Sequence, residues 1–327
     1  MNRIVPPKIV NIELTTFCPL RCPQCYKLLQ NTRDVELEPE TVKGYIDELK
    51  KIGTKKILLS GGEPLSYDGL VELIRFIRER EMEVYLSTGG IGLNDDYADK
   101  LKESDITAVY VSLNGSTEQI NSLSRDGYKA AVDAMNICER KNIPLRINWV
   151  ARGDNCSDFG NIVALAEEKN IEQIDILMNK NASNNDICSA VSKDQLYELA
   201  GYIRDYNGKV NIGVESCYFE LKNLIGIKQT SRLLKGCSAG KYSMTINAYG
   251  YVSPCTHADG LYFEKTAEYD SLKDYWEKSI IVNKFRTMGN VWEKCSDCER
   301  RIYCEPCKIR KEMECSTYLM MAEVSNE

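Results

Sequence analysis

Residues 9–26 read IVNIELTTFCPLRCPQCY, a short apolar run that leads into three closely spaced cysteines. The run Ile9–Leu14 is rich in Val, Ile and Leu and is bounded by polar residues, which is typical of a β-strand. Five more such runs follow, and amphipathic helical patterns separate them. The further strands are predicted at Lys56–Ser60, Glu83–Ser87, Ala108–Leu113, Leu145–Val150 and Ile174–Met178, and the helices at Pro39–Ile52, Asp68–Arg80, Asp95–Glu103, Tyr128–Lys141, Ser157–Lys169 and Lys193–Tyr206.

Strand–helix units in this succession predict an α/β fold with a parallel sheet and helices outside it. Periodicity alone allows either a doubly wound sheet or a barrel. From about residue 216 turns, Cys, Tyr and Gly dominate, and only Leu272–Lys284 keeps a helical pattern. We therefore predict two domains, residues 1–215 and a cysteine-rich unit of residues 216–327 whose order depends on bound metal.

The composition excludes several classes of partner. The 327 residues are 43% hydrophobic and carry a net charge of -6, so no basic field favours nucleic acid or an anionic membrane surface. The sequence has no apolar run long enough to span a bilayer, and its N-terminus lacks the order of a signal peptide. These features predict a cytoplasmic protein.

The 14 cysteines of the chain predict metal or redox chemistry, because disulfides are rare in a reducing compartment. His257 is the only histidine, so thiolates would supply most ligands, which favours zinc or iron–sulfur. Cys18, Cys22 and Cys25 fall in the first strand-to-helix loop, at the sheet edge where such folds place chemistry. Three thiolates are one short of a closed zinc site and of a fully ligated [4Fe–4S] cluster. They predict an iron with an open position, and a zinc knuckle completed by a distant Cys is the alternative.

The spacing of this triplet, with the aromatic Tyr26 after the last cysteine, resembles the signature of the radical S-adenosylmethionine (SAM) superfamily. Ser60-Gly61-Gly62-Glu63-Pro64 resembles the family's glycine-rich motif for the methionyl group of SAM, although such a stretch also occurs in ordinary turns. Glycines allow close backbone approach, and an acidic side chain can meet an ammonium. The resemblance implies a partial (β/α)6 TIM-like barrel whose SAM-binding [4Fe–4S] cluster is held by Cys18, Cys22 and Cys25.

Further SAM contacts follow only from the resemblance. Ser112, Arg125 and Asn148 are the candidates for the ribose and carboxylate of SAM, and each could equally be a capping or turn residue. Tyr26 is expected near the adenine, with a packed tyrosine as the alternative.

Seven cysteines lie in the C-terminal region: Cys237, Cys255, Cys295, Cys298, Cys304, Cys307 and Cys315. The array, with Cys237-Ser238-Ala239-Gly240 and Tyr249-Gly250-Tyr251-Val252-Ser253-Pro254-Cys255 as its first limb, resembles the SPASM domain, an accessory module of radical SAM enzymes. Only five residues separate the two Cys-x2-Cys pairs, too few for a zinc ribbon, and seven cysteines exceed one four-coordinate site. One departure is the two-residue gap between Cys304 and Cys307, where many relatives have three. The resemblance implies two auxiliary [4Fe–4S] clusters, the first on Cys237, Cys255 and Cys307 and the second on Cys295, Cys298, Cys304 and Cys315.

That division leaves the first auxiliary cluster one thiolate short. Cys217 could complete it, or the iron could stay open to a substrate thiol or water. Cys217 could alternatively be a catalytic thiol that returns a hydrogen atom to a substrate radical, as in peptide epimerases.

The resemblance implies an oxidoreductase that cleaves SAM reductively to a 5′-deoxyadenosyl radical and oxidatively modifies a ribosomally synthesised peptide, for example by a crosslink or thioether. The alternative is a dehydrogenase or modifier of a small molecule of the aminocyclitol or tetrapyrrole type. A flavodoxin- or ferredoxin-type electron donor is implied. Because the first strand begins near residue 8, we expect no leader-binding segment before it. Either a separate protein would read the leader peptide, or the substrate is short or needs no leader.

Overall fold

The computed structural model describes residues 4–27, 34–180, 190–226, 236–257, 262–287 and Cys307. These residues form a single mixed sheet with helices packed against it. The strands are β1 Ile9–Thr15, β2 Lys56–Gly61, β3 Glu83–Thr88, β4 Ala108–Ser112, β5 Leu145–Ala151, β6 Gln173–Met178, β7 Asn211–Val214, β8 Ser243–Ile246, β9 Tyr251–Ser253 and β10 Glu264–Lys265. The helices are α1 Pro39–Ile52, α2 Leu70–Glu79, α3 Asp95–Glu103, α4 Glu118–Ser122, α5 Tyr128–Lys141, α6 Phe159–Glu168, α7 Lys193–Asp205, α8 Phe219–Leu224, α9 Leu272–Lys278 and α10 Ile280–Thr287.

The strand order is β10-β9-β8-β1-β2-β3-β4-β5-β6-β7. Strands β1 to β7 are parallel and lie in chain order, so every crossover runs in the same direction. Right-handed crossovers without a reversal place all the connecting helices on one face, as in a barrel and unlike a doubly wound sheet. The predicted partial barrel is confirmed, and the sheet adds a seventh parallel strand, β7.

The hydrophobic core lies between the sheet and its helices because strand side chains alternate between the two faces. On β1 the side chains of Val10, Ile12 and Leu14 are fully buried on the helix side. The other face of β1 is polar: Ser60 Oγ donates to Asn11 Oδ1 at 2.7 Å, and Asn11 Nδ2 donates to Thr256 Oγ1 at 3.2 Å. The concave face is therefore the polar one.

The predicted bounds of α1, α3 and α5 are confirmed, and α1 shows why. Its apolar residues Val42, Ile46 and Leu49 repeat at helical spacing and are buried, and Pro39 opens its first turn. Gly53 ends the helix with a left-handed φ of 94°, a conformation that glycine adopts without strain.

Beyond residue 210 the sequence analysis missed structure. Strand β7 has only four residues, and β8 joins the sheet parallel to β1, so Ile9 lies opposite Ser243. The predicted helix Leu272–Lys284 is two helices, because Ser279 has an extended ψ of 127° and its hydroxyl accepts the Val282 N–H at 3.0 Å as an N-cap. The domain boundary near residue 215 stays a prediction.

Within the described ranges no helix combines the length and apolar character that a bilayer crossing requires.

Candidate functional site

The loop that follows β1 carries the three N-terminal cysteines. Its backbone is anchored on the loop before α5, since Arg21 N–H donates to Asp126 Oδ2 at 2.8 Å and Gln24 N–H to the Ser124 carbonyl at 3.1 Å. Burial raises the pKa of the Cys22 thiol, and the nearby Arg125 guanidinium opposes that shift. The loop thus lies at the carboxyl edge of the sheet, as predicted, with a guanidinium beside its middle cysteine.

The donors in this loop are three thiols. No group of three Cys, His, Asp or Glu in the part of the chain that the structure describes converges tightly enough to hold one metal ion. In an iron–sulfur cluster each thiolate binds a different iron, so the three sulfurs need not meet at one point. The all-thiolate donor set, one ligand short of four, therefore fits a [4Fe–4S] cluster.

The Gly61–Gly62 pair brings the second loop against the backbone of the cysteine loop. Gly62 N–H donates to the Thr15 carbonyl and Glu63 N–H to the Phe17 carbonyl, both at 2.7 Å. A Cβ on Gly62 would lie 2.0 Å from the Phe17 carbonyl oxygen, and Gly61 has a φ of 143°. The glycines therefore allow the loop after β2 to pack closely against the cysteine loop after β1.

Glu63 joins the second loop to the third. Its carboxylate is almost fully buried and accepts from the Leu65 N–H at 3.1 Å, the Thr88 hydroxyl at 2.5 Å and the Gly89 N–H at 2.8 Å. Burial raises the pKa of Glu63, although these hydrogen bonds oppose the shift. Pro64, also buried, opens a short 3₁₀ turn. The carboxylate is engaged by the chain itself, so contact with an ammonium of SAM stays a prediction.

Ser112 at the end of β4, Asn148 in the middle of β5 and Arg125 in the loop before α5 come together. Ser112 and Asn148 are register partners, Arg125 Nε donates to the Ser112 carbonyl at 3.1 Å, and Asn148 Nδ2 donates to Ser87 Oγ at 3.4 Å. The structure therefore gathers the three predicted SAM contacts at one edge, and their binding role stays a prediction.

Asn114 belongs to the scaffold of that edge. It is buried, its backbone N–H donates to Asn121 Oδ1 and its side-chain NH₂ donates to Ser124 Oγ, both at 2.9 Å. Its Oδ1 accepts from the Val150 N–H at 3.1 Å. A single buried amide thus joins the segment just before Arg125 to strand β5.

Tyr26 faces the C-terminal part of the chain. Its ring packs on His257 with the centroids 4.3 Å apart, and Lys27 Nζ lies 5.1 Å from the Tyr26 centroid. Burial raises the pKa of Tyr26 well above its ordinary value. The residue after Cys25 therefore touches the residue two positions after Cys255; the predicted adenine contact stays a prediction.

Four cysteines from separate segments form a second thiol site, which we call the auxiliary thiol site: Cys217, Cys237, Cys255 and Cys307. A hydrogen bond with Cys307, and then burial, raises the pKa of the Cys217 thiol. Burial raises the pKa of Cys255 to about 12, and both Cys237 and Cys307 contribute to that shift. His257 N–H also donates to Cys255 Sγ at 3.4 Å. The structure thus brings Cys217 to the three predicted ligands, while Cys295, Cys298, Cys304 and Cys315 lie outside the described residues.

Two ion pairs at the same edge, one buried and one partly buried, were missed by the sequence analysis. Lys180 Nζ donates to the two carboxylate oxygens of Glu215 at 2.6 and 2.7 Å, and Lys27 Nζ donates to Glu13 Oε2 at 2.5 Å. Burial lowers the pKa of Lys180, but interactions with the Cys217 thiolate, Glu215 and the Cys255 thiolate raise it by more, so the net direction is upward. For the Lys180–Glu215 pair the only signal in the sequence was position, because the two residues lie just after β6 and β7.

Comparison with known proteins supports the predicted family. The model of the radical SAM superfamily matches residues 12–166, and the SPASM model, an iron–sulfur cluster-binding domain, matches residues 237–299. The chain is 27% identical to a PqqA peptide cyclase of Granulibacter bethesdensis over 92% of this chain and 82% of the relative. It is 22% identical to an AdoMet-dependent heme synthase of Methanosarcina barkeri over 96% and 94% of the two chains.

A solved structure shares the fold. Streptococcus suis SuiB bound to S-adenosylmethionine superposes with a TM-score of 0.79 at 19% identity, over 93% of this chain and 74% of that chain.

Proposed function

The chain belongs to the radical SAM superfamily and carries a SPASM iron–sulfur cluster-binding domain, and we propose that it oxidatively modifies a ribosomally synthesised peptide. The observation that supports this best is the 4.3 Å contact between the rings of Tyr26 and His257, which brings the cysteine loop and the auxiliary thiol site side by side. A crosslink or thioether removes two electrons from a peptide, and a second redox centre beside the first can take the second electron. Relatives named as peptide cyclases that align over most of the chain support a peptide as substrate.

The residues that would hold the cofactors are thiolates throughout. Cys18, Cys22 and Cys25 would hold the SAM-binding cluster, and the auxiliary thiol site would hold the first auxiliary cluster. When bound, the SAM-binding cluster supplies the electron that cleaves SAM to a 5′-deoxyadenosyl radical, which abstracts a hydrogen atom from the substrate. A second auxiliary cluster on Cys295, Cys298, Cys304 and Cys315 is part of the same proposal.

The SAM-binding role rests on charge and position. Arg125 is held by the Ser112 carbonyl, and its positive charge acts on both Cys22 and Glu63. A guanidinium in this place can pair with the carboxylate of SAM. Ser112 and Asn148, which are partners across β4 and β5, offer a hydroxyl and an amide to the ribose.

For Cys217 we propose the role of fourth cluster ligand rather than that of a hydrogen-atom donor. The residue is 6% exposed and its sulfur is in hydrogen-bonding contact with Cys307. A ligand must meet the other thiols, as this one does, whereas a catalytic thiol must reach the substrate.

The test is a turnover assay with anaerobically reconstituted protein, SAM, a chemical reductant and peptides encoded by genes adjacent to that of the chain. Mass spectrometry should show a peptide lighter by two hydrogen atoms, with 5′-deoxyadenosine formed in step. SAM cleavage that never alters a peptide would contradict the peptide substrate.

A tetrapyrrole substrate is the second candidate. The heme synthase relative spans nearly the same length as this chain, and a Fe-coproporphyrin III synthase of Methanosarcina barkeri is 32% identical over 51% of this chain. Incubation with Fe-coproporphyrin III in the same assay separates the two candidates, since a change in the mass of the tetrapyrrole would favour this one.

Partners complete the proposal. A flavodoxin- or ferredoxin-type protein would deliver the electron, and a separate protein would present a leader peptide if the substrate has one. Pull-down of the holoenzyme with a purified flavodoxin, followed by SAM cleavage without chemical reductant, tests the first of these.

A further inference from the structure

Lys180 places a buried positive charge beside the auxiliary thiol site. Its side chain is 7% exposed, and its Nζ binds both carboxylate oxygens of Glu215 at 2.6 and 2.7 Å. Glu215 is itself held, because its Oε2 accepts the Met178 N–H at 3.1 Å and its backbone N–H donates to the Ile176 carbonyl at 2.9 Å. The pair is therefore fixed between the ends of β6 and β7.

The carboxylate is not the only partner of this ammonium group. Cys217, Cys255 and Cys307 also lie close enough to interact electrostatically with Lys180 when they are ionised. Burying a lysine costs several kcal/mol unless negative charge compensates it. Glu215 supplies that compensation, and a cluster held by the auxiliary thiol site would lie within reach of both charges.

We propose that Lys180 and Glu215 are positioning residues that set the reduction potential of the cluster held by the auxiliary thiol site. This inference rests on the proposed placement of that cluster. Adding one electron to a cluster adds one negative charge, so a fixed cation stabilises the reduced form and a fixed carboxylate destabilises it. Lys180 raises the potential and Glu215 moderates it, while the His257 N–H donated to Cys255 Sγ acts in the same direction as Lys180.

The two charges predict shifts of opposite sign, which loss of packing would not produce. In the full chain, with Cys18/Cys22/Cys25→Ala to remove the signal of the first cluster, Lys180→Gln should make reduction of one auxiliary cluster about tenfold less favourable, or about 59 mV more negative. Glu215→Gln should move the same signal in the positive direction. The other auxiliary cluster should keep its potential in both variants.

Lys169→Gln is the matched control. Lys169 precedes β6 at the opposite edge of the sheet and donates to Asn136 Oδ1 at 2.6 Å, so its substitution should leave both auxiliary potentials unchanged. The measurement is a mediated redox titration followed by electron paramagnetic resonance. Shifts of the same sign for Lys180→Gln and Glu215→Gln, or no shift, would overturn the proposal.

Measuring iron content distinguishes a failure of this proposal from a failure of the proposed cluster placement. Cys255→Ala should lose about four irons per chain. If it loses none, the placement itself is wrong; if it loses four while the potentials stay fixed, only the role of Lys180 and Glu215 fails. Should Lys180→Gln fail to retain iron, the sign of the Glu215→Gln shift decides alone, and a negative or absent shift overturns the proposal.

Discussion

The two thiol sites are built in opposite ways. Cys18, Cys22 and Cys25 lie within one short loop, and backbone hydrogen bonds to neighbouring loops hold it in place. The auxiliary thiol site takes its cysteines from four segments between residues 217 and 307, and it exists only because those segments pack together. A site whose cysteines all lie in one loop can be recognised from their spacing in the sequence. A site assembled from distant segments can be recognised only once the fold is known.

Loss of the local site should have the largest effect. The Cys18/Cys22/Cys25→Ala variant is expected to lower iron from about twelve to about eight per chain and to reduce SAM cleavage to background. Iron and sulfide analysis with assay of 5′-deoxyadenosine measures both. If SAM cleavage persisted, the assignment of SAM cleavage to the N-terminal cysteines would be wrong, because the C-terminal site would have to perform it.

Removal of Cys217 sharpens the definition of the assembled site. Cys217→Ala should change the resonance signal of one auxiliary cluster and lower its occupancy by up to about four irons. Cys138→Ala is the matched control, since burial raises the pKa of that thiol to about 12 and it lies in α5, away from both thiol sites. Unchanged iron with an altered product would instead identify Cys217 as a hydrogen-atom donor.

The buried Lys27–Glu13 pair lies at the junction between the two sites. Lys27→Met should lower the free energy of unfolding by about 3–5 kcal/mol, because it leaves the Glu13 carboxylate buried without its partner. Chemical denaturation of the anaerobically reconstituted protein measures this change. The exposed Lys43–Glu40 pair is the control, and Lys43→Met should cost less than about 1 kcal/mol.

The smallest effect concerns the glycines that support the local site. Gly62→Ala should destabilise the chain by about 2–3 kcal/mol, since the new Cβ would lie 2.0 Å from the Phe17 carbonyl oxygen. Gly44→Ala in α1 meets no atom within 4 Å and should stabilise it by about 0.5–1 kcal/mol. Equal effects in thermal unfolding would mean that the second loop does not brace the cysteine loop.

Sequence patterns were enough where a signal is local and repeats. The bounds of α1, α3 and α5 follow from apolar residues at helical spacing, and they match the structure. Strand β7 and the pairing of β8 with β1 were missed, because a four-residue strand carries too little pattern and strand pairing is a long-range property. The break at Ser279 was missed for a related reason: its hydroxyl donates to Glu264 Oε2 at 2.5 Å, a contact that the helical pattern of 272–284 does not reveal.

The sequence by itself determined that the chain is a cysteine-rich α/β protein with a three-thiolate loop after its first strand, because those features depend on residues close together in the chain. Tertiary structure alone decided that Glu63 clamps two loops, that Tyr26 meets His257, and that Cys217 joins the C-terminal thiols. It also decided that Lys180 and Glu215 form an ion pair beside them. Each of these depends on the ends of parallel strands meeting at one edge of a sheet, where residues far apart in the chain become neighbours.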